Sequence, residues 1–126
     1  MTTQGLTLFA HGARDPRWAE PFDAVAARVR AALPGGRVAL AFLELMAPTL
    51  AEAVDRLAAE GTSAVDIVPL FLGTGGHLRE DLPPLVEALR AGHPGVAITL
   101  HAAIGEHPQV IDAMASAALH AAGFGE

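Results

Sequence analysis

Short, almost continuously apolar segments alternate along this chain with segments whose apolar residues recur at helical spacing. The apolar runs are far shorter than the roughly 18–20 residues that cross a bilayer, so they fit buried strands instead. Strands separated by helices pair in parallel through right-handed crossovers, and helices then cover both faces of the sheet. The alternation therefore predicts an α/β fold, a small doubly wound three-layer sandwich with a four-stranded parallel sheet.

The predicted elements follow the order βαβαβαβα. Glycine and proline mark several of their boundaries, as in the PGG segment at 34–36 and at Gly61. A chain of 126 residues is long enough for one hydrophobic core, so we expect a single domain over residues 1–126. We predict strands over residues 5–10, 37–45, 63–71 and 96–100, and helices over residues 18–33, 47–61, 81–95 and 108–123.

The composition excludes several classes of function. The chain contains no cysteine, which rules out disulfides and thiolate metal sites and favours a cytoplasmic protein. Its net charge is −6, and its eight basic residues, all arginine, form no run, so we expect no nucleic-acid partner. The first residues, MTTQGLTLFA, lack the basic start and cleavage site of a signal peptide, and we expect no membrane association.

Three residues with metal-binding or proton-accepting side chains come at the ends of predicted strands. His11 follows the first strand, Glu44 lies at the end of the second, and His77 comes just beyond the third. The carboxyl ends of parallel strands meet at one edge, where ligands of such sheets bind, and three neighbouring strand ends span roughly 10 Å. Two imidazoles and one carboxylate suit a borderline divalent cation such as Co²⁺, Fe²⁺, Ni²⁺ or Zn²⁺.

Each of these residues also has an ordinary structural explanation. His11 with Gly12 could form a tight turn after a strand, and Glu44 could form a salt bridge with an arginine. Glu44 is the most informative, because a carboxylate buried in a strand without a partner costs several kcal/mol. The segment GTGG at 73–76 could cradle a phosphate, although it lacks the Walker A lysine and does not match GxGxxG. A metal carrier without catalytic activity and a phosphate-binding module therefore remain as alternatives.

Further residues near the three candidates fit an anionic, flat ligand. Arginines close in sequence to His11 and His77 could form a basic rim, and apolar residues could form a wall against a planar molecule. His101, after the fourth strand, is a candidate accessory metal ligand or proton-transfer group. The candidate substrate-binding residues are Arg14, Arg17, Met46, Phe71, Leu72, Gly75, Gly76 and Arg79.

Four segments of the chain resemble one known family. LFAHGARDPRW, FLELMAPTL, VPLFLGTGGHLREDLP and IGEHPQVIDAM occur in the order and at the spacing of the short CbiX-type sirohydrochlorin chelatases, members of the class II chelatase superfamily. The resemblance covers nearly the whole chain. Ala13 stands where the HGSR motif of the family has serine, which removes a hydroxyl group but no metal ligand.

The resemblance implies an enzyme that inserts a divalent metal ion, most simply Co²⁺ on the way to cobalamin, into the tetrapyrrole sirohydrochlorin. Fe²⁺ insertion towards sirohaem and Ni²⁺ insertion are alternatives within the same fold. Carried over by motif, the catalytic and metal-binding residues are His11, Glu44 and His77. The metal is a substrate, so no organic cofactor is expected. Larger relatives contain two such domains around a cleft, so the resemblance also implies a homodimer with the macrocycle between the subunits.

Overall fold

A computed structural model describes residues 3–73 and 75–124, and the side chain of His77 lies outside that description. Four strands alternate with four helices, as the sequence predicts. The strands are Gln4–Ala10 (β1), Arg37–Phe42 (β2), Ala64–Pro69 (β3) and Ala97–Leu100 (β4). The helices are Glu20–Ala32 (α1), Leu50–Ala59 (α2), Gly76–Gly92 (α3) and Pro108–Ala121 (α4), with short 3₁₀ helices at Pro16–Ala19 and Ile104–Glu106.

The four strands form one parallel sheet in the order β2-β1-β3-β4. This confirms the predicted fold class. β1 lies between β2 and β3, with Phe9 next to Ala41 on one side and Pro69 on the other. The carboxyl ends of the three strands that precede His11, Glu44 and His77 are therefore neighbours.

The main core lies on the face of the sheet covered by α2 and α3. Phe9 and Ile67 from the sheet are fully buried there, together with Leu57 of α2 and Val86 of α3. A smaller core on the opposite face packs Ala26 of α1 against β1 and β2. The alternation of side chains along each strand supplies both faces with apolar residues.

Helix α2 begins at Leu50, three residues after the predicted start at residue 47. Its beginning is fixed by a capping box, in which the Thr49 hydroxyl accepts the Glu52 N–H at 3.2 Å and the Glu52 carboxylate accepts the Thr49 N–H at 2.9 Å. Both bonds satisfy donors that the first helical turn leaves without a partner. Residues 47–49 therefore form the approach to the helix and are not part of it.

Other predicted boundaries at the carboxyl edge are wrong as well, and β3 ends at Pro69 instead of residue 71. Strand β2 ends at Phe42 instead of residue 45, since the chain turns away and Leu45 adopts a positive φ of 65°. Helix α3 begins at Gly76 instead of residue 81. The prolines at 83 and 84 favoured a later start, because proline is tolerated in the first helical turn. Glu44 consequently lies on an exposed loop, and His77 lies in the first turn of a helix.

The sheet face opposite α2 and α3 is covered over β1 and β2 but not over β3 and β4. Residues in β3 alternate between buried and half-buried, and the half-buried ones, such as Asp66 and Val68, face the uncovered side. Helix α4, which closes the chain, buries none of its residues. Within the described residues no helix is both long and apolar enough to span a membrane.

The main core predicts a large cost for truncating Leu57, which is fully buried against the sheet. We expect Leu57→Ala to lower the free energy of unfolding by about 2–5 kcal/mol, the usual cost of a cavity in a packed core. Leu119→Ala on α4 is the matched control, because Leu119 is exposed and its truncation should cost less than about 0.5 kcal/mol. Urea denaturation followed by circular dichroism measures both, and equal losses would contradict this core assignment.

Candidate functional site

The loops after β1 and β2 bring an imidazole and a carboxylate together. His11 is the first residue after β1, and Glu44 is the second residue after β2. The His11 Nε2 atom lies 3.2 Å from the Glu44 Oε1 atom. The two side chains are 49% and 55% exposed, so the pair is open to a ligand from solvent. The structure thus joins two of the three predicted metal-binding residues.

Backbone contacts hold these two loops against each other. The Leu43 N–H donates to the Ala10 carbonyl at 2.9 Å, and the Glu44 N–H donates to the His11 carbonyl at 3.1 Å. Gly12 adopts a positive φ of 99°, and a Cβ atom at this position would lie 1.9 Å from the Glu44 carbonyl oxygen. Only glycine fits this approach, since a side chain would overlap the neighbouring backbone. Gly12 therefore fixes the separation of the loops that carry the pair.

An aromatic side chain, Phe71, packs against the ring of His11. The Phe71 ring is buried, and its centroid lies 6.0 Å from the His11 ring in an edge-on arrangement. Phe71 also packs against Phe9 of the core, with ring centroids 5.7 Å apart. Edge-to-face contacts of this kind orient rings as well as burying them. Phe71 thus connects the His11 ring to the core, and its predicted role as an apolar wall for a ligand stays a prediction.

His77 lies in the first turn of α3, the helix that follows β3 in the chain. Its side chain lies outside the described part of the structure, so its role as a third ligand stays a prediction. Among the described side chains, which do not include His77, no group of three histidine or carboxylate residues is placed to hold a metal ion. The described geometry therefore supplies a pair of donors, and the third position depends on His77.

The three arginines proposed for the basic rim have different surroundings. Arg14 is exposed on the loop after His11. Arg17 is exposed too, but its guanidinium donates to the Asp15 carboxylate, with Nη2 to Oδ2 at 2.8 Å. Arg79, on the exposed side of α3, lines a small cavity of about 150 Å³. Arg14 lies three residues after His11 in the sequence, and the cavity that Arg79 lines also contains His101 and Glu106.

The ion pair between Arg17 and Asp15, near the site, shifts the pKa of both side chains. The hydrogen bond from the Arg17 side chain, with a further one from its backbone N–H, lowers the pKa of Asp15 below its ordinary value. The same carboxylate raises the pKa of Arg17. Asp15 also caps the short 3₁₀ helix Pro16–Ala19. This arginine contributes to local structure, and an anionic ligand would compete with Asp15 for it.

The remaining substrate-binding candidates differ in their exposure. Leu72 is exposed beside the site, whereas Met46 is half-buried against Phe42 and the 3₁₀ helix before α1. Gly75 is the N-cap of α3 and Gly76 is its first residue, and a Cβ atom at either would meet nothing within 4 Å. No close protein contact therefore requires glycine at these two positions. Thr74, between them and β3, lies outside the described residues.

His101 does not join the His11–Glu44 pair. Its Nε2 atom lies 2.8 Å from the Asp66 Oδ1 atom on the neighbouring strand β3. Both residues lie on the uncovered face of the sheet, so His101 forms a separate pair with a carboxylate. Its suggested accessory role at the site stays a prediction.

Two residues that shape the site were not identified from the sequence. Leu45 adopts a positive φ and is exposed beside Glu44, a conformation that leucine rarely takes and that the sequence does not signal. Gly105 lies so close to the loop after β3 that a Cβ atom would be 2.0 Å from the Leu72 carbonyl oxygen. A glycine inside the segment IGEHP was the available signal for this second contact. Gly105 positions the loop that leads to His77.

The His11–Glu44 pair has the spacing of two ligands on one metal ion. Nitrogen and oxygen ligands at about 2.0–2.2 Å from a cation, at tetrahedral or octahedral angles, lie roughly 3.0–3.4 Å apart. The observed separation of 3.2 Å falls in that range. Without a cation the same pair can share a proton between imidazole and carboxylate. The geometry therefore suits both metal binding and proton acceptance.

Comparisons with known proteins agree on one family. The sequence model of the CbiX family matches residues 5–121 of this chain. A sirohydrochlorin cobaltochelatase from Saccharolobus solfataricus is 35% identical over 82 residues, which cover 65% of this chain and 62% of the relative. A sirohydrochlorin cobaltochelatase from Methanococcus aeolicus is 30% identical over 83 residues, covering 66% of this chain and 58% of the relative. The matched region thus spans about six tenths of these relatives.

Solved structures show the same fold. The crystal structure of a CbiX protein from Marinobacter aquaeolei has a TM-score of 0.84 and 35% identity, over 94% of this chain and 97% of that chain. The sirohydrochlorin chelatase SirB from Bacillus subtilis, crystallised with cobalt, has a TM-score of 0.78 and 24% identity. That match covers 89% of this chain but 48% of SirB, so this chain corresponds in fold to half of that protein.

The close approach at Gly12 predicts a large effect of one added methyl group. Gly35 also has a positive φ, but a Cβ atom there meets nothing within 4 Å, so Gly35→Ala should cost only about 1–2 kcal/mol of strain. Gly12→Ala adds overlap with the Glu44 carbonyl, which brings its expected cost to about 2–5 kcal/mol. Urea denaturation of both variants measures the difference. Equal stabilities would show that the two loops separate easily.

Proposed function

The chain belongs to the CbiX family, and we propose that it is a sirohydrochlorin chelatase that inserts a divalent metal ion, Co²⁺ above all, into the macrocycle. The observation that carries this proposal is the exposed His11–Glu44 pair, set at metal-ligand spacing at the carboxyl edge of the sheet. The relatives named sirohydrochlorin cobaltochelatase support the choice of substrate and metal. Fe²⁺ and Ni²⁺ are alternative substrates, because imidazole and carboxylate ligands bind several first-row divalent metals and the choice in a cell also depends on metal supply.

The reaction requires two tasks of the site. It must hold a partly desolvated cation against the macrocycle, and it must accept the two protons that leave the pyrrole nitrogens. His11, Glu44 and His77 carry out both in our proposal. A neutral imidazole can ligate the metal or accept a proton, although not through the same nitrogen at once, and Glu44 shares the charge of the cation. No organic cofactor takes part, since the metal is a substrate.

The surroundings of the pair fit a flat, polyanionic substrate. Sirohydrochlorin carries eight carboxylates around a planar ring. Arg14, Arg17 and Arg79 can pair with carboxylates at its rim in exchange for any partner that they now contact, as Arg17 would exchange Asp15. Exposed Leu72 and Leu45 lie beside the pair and can contact the ring face. Gly75 and Gly76 leave space for the macrocycle.

The active form in this proposal is a homodimer in the cytoplasm. The chain corresponds in fold to half of SirB, and the side chains of its His11–Glu44 pair are about half exposed to solvent. A second copy can enclose the other side of the macrocycle, so that each chain acts as one complete CbiX domain. The absence of cysteine agrees with a cytoplasmic location.

An anaerobic absorbance assay tests the proposed activity. Purified protein is mixed with sirohydrochlorin and Co²⁺, Fe²⁺ or Ni²⁺ separately, with protein-free mixtures as controls. We expect protein-dependent conversion of the free macrocycle spectrum to the metallated one, fastest with Co²⁺. Folded protein that accelerates none of the three reactions would overturn the chelatase proposal, and Co²⁺ binding without turnover would indicate a metal carrier.

Removing either candidate histidine should slow insertion strongly. We expect His11→Ala and His77→Ala to lower the rate of cobalt insertion by about 100-fold or more, the usual contribution of a positioned proton acceptor or ligand. His93→Ala is the matched control. His93 also contacts a carboxylate, with Nε2 2.6 Å from the Asp55 Oδ1 atom, but it follows α3 at the opposite edge of the sheet. The same absorbance assay measures all three variants.

Wild-type rates in folded His11→Ala and His77→Ala proteins would contradict the assignment of the site. A comparable loss in His93→Ala would show that the effect is structural and does not arise from this pair. Circular dichroism spectra of each variant establish that folding is unchanged before rates are compared.

The charge of Glu44 should matter more than its shape. Glu44→Gln keeps the side chain's size but removes the negative charge that faces the cation, so we expect weaker Co²⁺ binding, by roughly tenfold or more. Glu60→Gln is the control, since Glu60 pairs with Arg37 at 3.4 Å at the amino-terminal edge of the sheet. Isothermal titration calorimetry with Co²⁺ compares the two. An unchanged affinity in Glu44→Gln would place the metal elsewhere.

A further inference from the structure

The loop that carries Glu44 is anchored on both sides of this residue. Leu43 packs against the main core, and Met46 packs against the smaller cluster that contains Phe42. Leu45 belongs to none of the apolar clusters that the described side chains form, and it is 59% exposed. The loop therefore packs the apolar side chains before and after the site and leaves that of Leu45 in solvent.

The backbone of Leu45 adds a second cost to this exposure. Its φ of 65° lies in the left-handed region, where the Cβ atom of an L-residue crowds a carbonyl oxygen. Glycine adopts this conformation freely, and asparagine tolerates it. Single exposed leucines are common on protein surfaces, but an exposed leucine in this conformation lowers stability without a packing contact in return. Strained residues of this kind concentrate at functional sites.

A second exposed leucine follows the strand on the other side of β1. Leu72 is 69% exposed and comes after β3, whereas Leu45 comes after β2. Since β2 and β3 pair with opposite edges of β1, their loops flank the loop that begins with His11. Neighbouring strands lie about 4.8 Å apart, so the two flanking loops leave the sheet roughly 10 Å from each other. His11 therefore lies between two loops that each expose a leucine.

This arrangement is complementary to a ring with a polar centre and an apolar frame. A tetrapyrrole carries its four nitrogens at the centre, and the pyrrole carbons around them are apolar on both faces. A metal ion at His11 and Glu44 would meet the nitrogens, while the carbon frame would extend over the flanking leucines. Ligand sites commonly combine apolar walls with a few polar groups in this way. A free metal ion or a phosphate would gain nothing from either leucine.

We propose that Leu45 is a binding residue for the macrocycle, and that its strained, exposed conformation is retained because the side chain packs on the carbon frame beside the metal. The inference rests on the chelatase function proposed above. It assigns the affinity for the ring and the affinity for the metal to two neighbouring residues, Leu45 and Glu44. Because the ligand favours leucine here and the fold disfavours it, a substitution should move stability and substrate affinity in opposite directions.

Leu45→Gly tests this opposition. Relief of the strain, partly offset by the flexibility of glycine, should raise the folded-to-unfolded ratio by up to about tenfold, measured by urea denaturation. The same variant should bind metal-free sirohydrochlorin about tenfold or more weakly, because the contact of one leucine side chain is lost. Quenching of the single tryptophan, Trp18, on titration with the macrocycle measures the affinity. An unchanged affinity, or a loss of stability, would overturn the proposal.

Two more variants separate the apolar contact from the backbone conformation. Leu45→Met restores a flexible apolar side chain and should bind the macrocycle nearly as tightly as the wild type. Leu45→Asn tolerates the positive φ but is polar, so it should bind as weakly as the glycine variant. Tight binding by Leu45→Asn would contradict the proposed contact.

Leu33→Ala is the matched control for the loss of an exposed leucine. Leu33 is 45% exposed and lies near Gln4 and Arg37, the first residues of β1 and β2, at the opposite edge of the sheet. Its truncation should leave the affinity for sirohydrochlorin unchanged. A loss equal to that of Leu45→Gly would show that the effect does not arise from the site.

Titration with Co²⁺ alone separates the ring from the metal. Isothermal titration calorimetry should give Leu45→Gly the Co²⁺ affinity of the wild type, in contrast to Glu44→Gln. An equal loss of Co²⁺ affinity in Leu45→Gly would show that Leu45 acts only by positioning Glu44, and would overturn the proposal.

The same titrations distinguish failure of this inference from failure of the proposed function. A wild-type protein that does not bind sirohydrochlorin would contradict both. A wild-type protein that binds and metallates the macrocycle, beside a Leu45→Gly variant of equal affinity, would contradict only the role of Leu45. Sedimentation equilibrium covers one other explanation, since an oligomeric state of Leu45→Gly different from that of the wild type would place Leu45 between chains and overturn the proposal.

Discussion

The central position of β1 determines where everything else at the carboxyl edge lies. β1 pairs in parallel with β2 on one side and β3 on the other, and the hydrogen bonds continue beyond the strand ends. The Leu43 N–H bonds to the Ala10 carbonyl, and the Leu70 N–H bonds to the Phe9 carbonyl. Because both neighbouring loops are tied to β1 in this way, they leave the sheet next to His11. The His11–Glu44 pair follows from this pairing, and Gly12 is the residue that permits it.

The fold could be predicted because each strand and helix is indicated by residues that are close together in the sequence. Apolar runs and helical periodicity identify the strands and helices, and the crossover rule then requires a parallel sheet. The strand order was not visible in the pattern, yet it decides which strand ends are neighbours. The boundaries at the carboxyl edge were predicted less well. After β2 the chain turns at Leu45, in a conformation that leucine does not favour. The prolines at 83 and 84 lie inside α3, where proline is unusual, so the start of this helix at Gly76 was not predicted.

The candidate site was predicted in part, for a related physical reason. His11 and Glu44 could be selected because imidazole and carboxylate groups are unusual at the ends of apolar strands. The expectation that Glu44 is buried in a strand was wrong, since its side chain is exposed on a loop. Gly105 and Leu45 shape the site through backbone contacts that depend on tertiary structure. His101 pairs with Asp66, a partner brought near by the register of β3 and β4.

The exposure of the His11–Glu44 pair bears on how long a metal ion would stay at the proposed site. A closed structural site surrounds its metal with protein ligands, whereas the half-exposed His11 and Glu44, even with His77 as the proposed third ligand, would leave coordination positions open to water and to the incoming molecule. A cation held in this way would exchange its remaining ligands and could be transferred. A short dwell time is therefore an advantage in a protein that passes its metal on, because every ligand it added would slow the release of its cargo.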